Sequence, residues 1–74
     1  MTTGVNQVVA DSIRAEMSRR KVTQLEVANA LGVSNAAVSR RLSGRVLWDV
    51  DALAVVGQLL DMDPRDLLPE PATT

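Results

Sequence analysis

Residues 23–44 read Thr23-Gln24-Leu25-Glu26-Val27-Ala28-Asn29-Ala30-Leu31-Gly32-Val33-Ser34-Asn35-Ala36-Ala37-Val38-Ser39-Arg40-Arg41-Leu42-Ser43-Gly44, and the run writes the same helix grammar twice. Thr23 to Glu26 has the form of a capping box, in which the hydroxyl serves the amide three residues on and the glutamate reaches back to the cap. Val22 and Val27 are spaced to close a hydrophobic staple around it. A helix is therefore expected from Gln24 to Leu31, stopped by Gly32, which takes the left-handed conformation without a Cβ penalty. Ser34 caps the next helix, Val33 and Val38 repeat the staple, and Gly44 ends the segment after Leu42 and Ser43. Only Gly32-Val33-Ser34 separates the two helices, which is the outline of a helix-turn-helix.

To the N-terminal side, Val5, Val9, Ile13 and Met17 are spaced four apart and predict a first helix from Val5 to about Arg20. Its basic end, Arg19, Arg20 and Lys21, suits a helix C-terminus, where the dipole favours cations; the same triplet could add long-range attraction for an anionic partner. Downstream, Asp49 caps a helix through Leu60 with Leu53, Val56, Gly57 and Leu60 on one stripe. The Val55-Val56 pair would suit a strand, but the length and period favour a helix. Asp63-Pro64 reads as N-cap plus first-turn proline of a short fifth helix through Leu68, stopped by Pro69. Residues 69–74 read as a flexible tail, and residues 1–74 as one domain.

Composition limits the chemistry. At 74 residues and 7.9 kDa, such a chain buries roughly 60% of its unfolded surface, enough for one modest core and little room for a substrate pocket. There is no Cys and no His, so disulfides, thiolate nucleophiles, imidazole bases and ordinary zinc sites are excluded. Serines and carboxylates are present and Lys21 could in principle serve a Ser-Lys pair, yet no nucleophile signature accompanies them, and no enzyme and no cofactor are expected. Asp61, Asp63 and Asp66 lack EF-hand spacing and read as an acidic surface, with no metal expected. The uncharged run Ala52 to Leu60 falls far short of the ~20 residues that span a bilayer. Met1-Thr2-Thr3-Gly4 has no basic region, so no signal peptide, no membrane association and a cytoplasmic location are expected. Trp48, the single aromatic, disfavours a base-stacking platform and reads as a core plug between the third and fourth helices.

The third helix needs little of its surface for the core. With Ala36 at 0° and ~100° per residue, Val38 lies near 200° and Leu42 near 240°. On the same wheel Ala36, Arg40 at ~40° and Ser43 at ~340° lie opposite, with Ser39 at the edge and Asn35 at the forward end. That face is small, polar and basic. Small side chains let a backbone enter a major groove ~12 Å wide, Arg grips guanine O6/N7 and Asn grips adenine N6/N7. Arg41, at ~140° on the flank, is better placed for a phosphate than for a base edge.

Residues Gln24 to Gly44 resemble the helix-turn-helix of the Cro/C1 (XRE) family of phage and bacterial regulators. Gln24 opening the first motif helix, Ala28 packing against the second, Gly32 at the turn, Val38 in the core and Gly44 all match. Val50 to Leu68 is similar to that family's last two helices, so the likeness spans about residues 8–68. It implies an all-α, compact five-helix lambda-repressor-like domain that binds double-stranded operator DNA as a transcriptional regulator. Carried over by position, it places Asn35, Ala36 and Arg40 at base edges, with Ser39 beside them. Gln24, Ser43 and Arg45 would touch the phosphate backbone. Arg41 stands where the family often has an apolar or aromatic residue, which thins the core there or adds a phosphate contact. A homodimer is compatible with this reading, with Val55, Leu59, Leu67 and Leu68 as an apolar patch; no small-molecule ligand is expected. The alternative is a helical protein-interaction module, such as an antitoxin or anti-repressor, using the same fold.

The net charge of −1 argues against a simple nucleic-acid binder until it is divided. Residues 1–45 hold seven Lys+Arg and three Asp+Glu, residues 46–74 one Arg and six acids. The sum conceals a dipole whose positive half contains the whole motif.

Overall fold

The computed structural model describes residues 4–68; the segments 1–3 and 69–74, on which the readings of a missing signal peptide and a flexible tail fall, lie outside the described residues. Among these residues four α-helices follow in order, α1 (Val5–Arg20), α2 (Gln24–Leu31), α3 (Asn35–Leu42) and α4 (Val50–Leu60), and then a 3₁₀ helix (Pro64–Leu67). Among the described residues there is no strand.

The capping signals decide the helix starts. Thr23 accepts from the Glu26 amide at 3.1 Å while Glu26 accepts from the Thr23 amide at 3.0 Å, so both halves of the capping box form. Ser34 accepts from the Ala37 amide at 3.1 Å, and Asp49 from the Ala52 amide at 2.7 Å. Each such cap contributes about 1 kcal/mol. All four α-helices end in one geometry, with paired backbone bonds that satisfy the last carbonyls: Lys21 to Ser18 with Val22 to Met17, Gly32 to Asn29 with Val33 to Ala28, Gly44 to Arg41 with Arg45 to Arg40, and Asp61 to Gln58 with Met62 to Gly57. Glycine takes the left-handed position after α2 and α3, whereas Lys21 and Asp61 adopt it at φ 57° after α1 and α4. Glycine suits position 44, where φ is +84° and the Gln7 side-chain amide lies against the Cα.

The expected fifth α-helix is instead a single 3₁₀ turn of four residues. Asp63 accepts from the Arg65 amide, only two residues on, at 2.9 Å, and the backbone bonds run i to i+3, Asp66 to Asp63 and Leu68 to Arg65. Leu68 is already extended (φ −89°, ψ 149°), as a residue before proline must be. That leaves too few residues for i to i+4 bonding. The turn packs on α4 where Gly57 has no side chain; a Cβ there would lie 2.9 Å from the Pro64 ring.

One core joins all five elements. Val9, Ala10, Ile13 and Met17 of α1 meet Val27 and Ala28 of α2, Val38 and Leu42 of α3, Ala52, Leu53, Val56 and Leu60 of α4, and Leu67 and Trp48. Val22 and Val33 pack against this cluster as half-buried residues, as the two staples require. Val5, placed on the α1 stripe by its spacing, is 63% exposed. The expected apolar patch of Val55, Leu59, Leu67 and Leu68 does not exist as one surface. Leu67 is fully buried, and Val55 and Leu59 are half-buried, because a chain this small draws on them for its own core. The exposed large apolar residues lie elsewhere, among them Leu47 and Val50.

Candidate nucleic-acid interface

The second motif helix buries only Val38 and Leu42. Ala37 and Arg41 are half-buried beside them, while Asn35, Ala36, Ser39 and Arg40 are exposed. Ala36, Ser39 and Arg40 fall on the open arc where ~100° steps put them; Asn35, which the same steps put beside Leu42, is exposed as the first residue of the helix. The helix is held by its ends. Behind it, α1 and α2 pack against it; in front of it, Asn35, Ala36, Ser39 and Arg40 are exposed.

At its N-terminal end, Gln24 Nε2 donates to the Asn35 carbonyl at 3.0 Å and to Asn35 Oδ1 at 3.2 Å. This bond ties the first residue of α2 to the first residue of α3 and fixes the orientation of the Asn35 amide. Asn35 Oδ1 keeps a second lone pair and Asn35 Nδ2 its protons, so both halves of the amide can still meet a ligand. The Gln24 amide nitrogen, by contrast, is engaged by Asn35. In this arrangement Gln24 supports Asn35, while the capping box takes up the Thr23 and Glu26 amides at the start of α2. Glu26 sits in the same turn, and its carboxyl is held below its ordinary value by the Thr23 amide and then the Thr23 hydroxyl.

At the C-terminal end, the Ser43 hydroxyl donates to the Arg40 carbonyl at 2.8 Å, so its single proton closes the helix. Arg41 turns away from the open face. Its guanidinium lies 5.9 Å from the centroid of the Trp48 ring, a cation–π arrangement, and lines a groove of about 200 Å³ with Leu31, Val33, Asp49, Asp51, Ala52 and Val55. One of its terminal nitrogens is buried without a hydrogen-bond partner. Arg45 is exposed. Of the four residues expected at phosphates, then, Arg45 alone is both exposed and free of side-chain hydrogen bonds among the described residues; Gln24, Ser43 and Arg41 are engaged or turned inward.

Trp48 is 7% exposed and plugs the space between α3 and α4, as its position suggested. Its indole N–H donates to the Arg41 carbonyl at 2.8 Å, which satisfies one of the last carbonyls of α3. Asn6 is the residue that sequence reasoning missed. Its Nδ2 donates to the Gly44 carbonyl at 3.1 Å and the Val46 carbonyl at 3.0 Å, and its Oδ1 accepts from the Trp48 amide at 2.7 Å. Three bonds from one side chain thus pin the loop that leaves α3. Nothing local in the sequence marks Asn6, because its partners lie far along the chain, beyond α2 and α3.

Charge is distributed to match. On α1, Arg14 pairs with Asp11, and Arg19 and Arg20 pair with Glu16. Arg20 also donates to the Leu60 carbonyl at 2.6 Å and so caps α4. Arg65 pairs with Asp63. Among the described residues, Lys21, Arg40, Arg41 and Arg45 take no part in an ion pair. All but Lys21 lie at or just beyond the end of α3, so the uncompensated positive charge is concentrated there.

Among the described residues, no helix is long and apolar enough to cross a membrane. The fold is similar to that of a solved structure, the clp gene regulator ClgR from C. glutamicum, with a TM-score of 0.81 and 24% identity over 89% of this chain and 86% of that one. No curated protein matches the chain. A family whose description reads "Protein of unknown function (DUF739)" matches residues 12–69, a span that holds α2 to α4 whole and most of α1. The chain therefore belongs to the DUF739 family.

Proposed function

We propose that this protein binds double-stranded DNA in a sequence-specific manner through the open face of α3 and regulates transcription as a small Cro- or repressor-like protein of the bacterial or phage-infected cytoplasm. The observation that carries the reading is the exposure of Asn35 at the start, and of Ala36, Ser39 and Arg40 on one face, of a helix whose ends are fastened from behind. Arg40 offers a bidentate grip for guanine and Asn35 for adenine. Ala36 clears the space between them, and Ser39 reaches either edge. Arg45 holds a phosphate beside them. The fold likeness to a gene regulator supports the same reading. Occupancy of an operator blocks competitors sterically, without catalysis, metal or cofactor.

The test is selection of bound sequences from a random duplex pool, followed by salt-dependent titration of the selected site. Arg40→Ala should weaken binding by about 1–3 kcal/mol at one base pair and leave scrambled duplex unaffected. Arg45→Ala should weaken all duplexes alike and reduce the salt slope by about one. Failure to enrich any sequence, with Arg40→Ala silent, would sink direct readout and favour the protein-interaction alternative.

A further inference from the structure

Arg40, read above as a base contact, lies inside α3, whereas Arg45, read as a phosphate contact, lies beyond its end. A helix fixes the spacing of the side chains it carries, and an exposed loop does not. Phosphate contacts set a protein's register and orientation on a duplex, which requires them to sit at a fixed distance from the residues that read bases. One backbone bond supplies part of that distance: the Arg45 amide donates to the Arg40 carbonyl at 3.1 Å. Beyond it, Val46 and Leu47 make no backbone–backbone hydrogen bond among the described residues, and they are 37% and 74% exposed. Neither a helix nor the core holds this stretch.

Asn6 supplies what the stretch lacks. Its Nδ2 donates to the carbonyls of Gly44 and Val46, one on each side of Arg45, and its Oδ1 accepts from the Trp48 amide. Both protons of the side-chain amide are thus spent on the peptide groups that flank the arginine. Asn6 is itself held, because it stands in the first turn of α1, whose Val9, Ala10 and Ile13 lie in the core. From this we infer that Asn6 is a positioning residue for nucleic-acid binding, which sets the reach of Arg45 from the base-reading face of α3 without touching the duplex. The inference rests on the reading of Arg45 as a phosphate contact. A segment that arrives ordered loses less conformational entropy on binding. Because Arg45 meets the nucleic-acid backbone, the contribution of Asn6 is the same on every duplex.

The test is a double-mutant cycle on the full chain, with circular dichroism as the control for fold. Asn6→Ala should weaken binding to the selected duplex and to a scrambled one equally, by about fivefold or more. Asn6→Ser, whose single proton cannot serve both carbonyls, is the second variant where Asn6→Ala folds poorly. In an Arg45→Ala background the same substitution should cost nothing further, because no arginine remains to be positioned; a residue that only stabilised the fold would weaken both backgrounds alike. Without any duplex, ¹⁵N relaxation of the free chain should show the Arg45 amide order parameter falling from about 0.85 towards 0.6 in Asn6→Ala. Unchanged affinity, equal losses in the two backgrounds, or an Arg45 amide as ordered as before overturns the inference. An unchanged salt slope for Arg45→Ala overturns the phosphate reading and the inference with it, whereas a slope reduced by Arg45→Ala with Asn6→Ala silent overturns the inference alone.

Discussion

Helices α3 and α4 face the same core and use it differently. α4 buries Ala52, Leu53, Val56, Gly57 and Leu60 of its eleven residues, whereas α3 buries only Val38 and Leu42 of its eight. A fully buried Leu or Val contributes about 1.5–3 kcal/mol, so α4 holds itself by packing. α3 is held by attachments at its ends: the Ser34 cap, the Gln24 bridge, the Gly44 turn and the Trp48 indole. The open face of α3, away from Val38 and Leu42, is therefore largely released from folding duty. Its side chains can change without unfolding the molecule, which is the condition a recognition surface must meet.

The contrast can be broken most directly on the α4 side. Leu60 is 1% exposed, and Leu60→Ala should cost about 2–5 kcal/mol in urea unfolding; a loss under ~1 kcal/mol would put α4 on the same footing as α3. Next in size is the pin between the two helices. Asn6→Ala removes two donated bonds and leaves the Trp48 amide without its acceptor, for an expected loss of about 1–3 kcal/mol. If that variant unfolds no more easily, the loop is held by Trp48 alone. On the α3 side, Arg40→Ala should alter unfolding by no more than about 0.5 kcal/mol, although it removes the base contact proposed above. A larger destabilisation would mean that the open face contributes to the fold.

The smallest effect separates the two regions by pH. Glu26, beside the helix-turn-helix, and Asp63, below α4, both have carboxyls held beneath their ordinary values of 4.5 and 3.8. The Thr23 amide and then its hydroxyl are the cause for Glu26, and the Arg65 side chain and then its amide for Asp63. A depressed folded-state pKa stabilises the fold above the unfolded value, and that contribution is lost as pH falls through the folded one. Thermal midpoints should therefore decline below about pH 4.5. Glu26→Ala should flatten the upper part of that decline and Asp63→Ala the lower part. An acid limb untouched by both substitutions would show that neither cap governs it.

Much of this is legible from the sequence because helix starts and ends are written within a few neighbouring residues. Thr23, Ser34, Asp49 and Asp63 all cap where their spacing places them, and the open face of α3 follows from helical period alone. What lies beyond reach is made of contacts across the chain. Asn6 reaches the loop after α3, Arg20 reaches Leu60, and Arg41 is drawn under Trp48. A wheel can put Arg41 on a flank, but only the position of Trp48 decides which way the guanidinium turns. The 3₁₀ turn escapes for the opposite reason. Its cap and proline are plain in the sequence, but an α-helix there also needs room before Pro69, which local signals do not count.

The bond from Arg20 to the Leu60 carbonyl joins the last turn of α1 to the last turn of α4 across the molecule. Helix ends ordinarily fray first and independently, so their amides exchange with solvent well before global unfolding. With one side chain bonded to both, opening of the two ends is expected to be coupled. Hydrogen exchange at the close of α4 should then report on α1 as well, and Arg20→Ala should divide one cooperative unit into two.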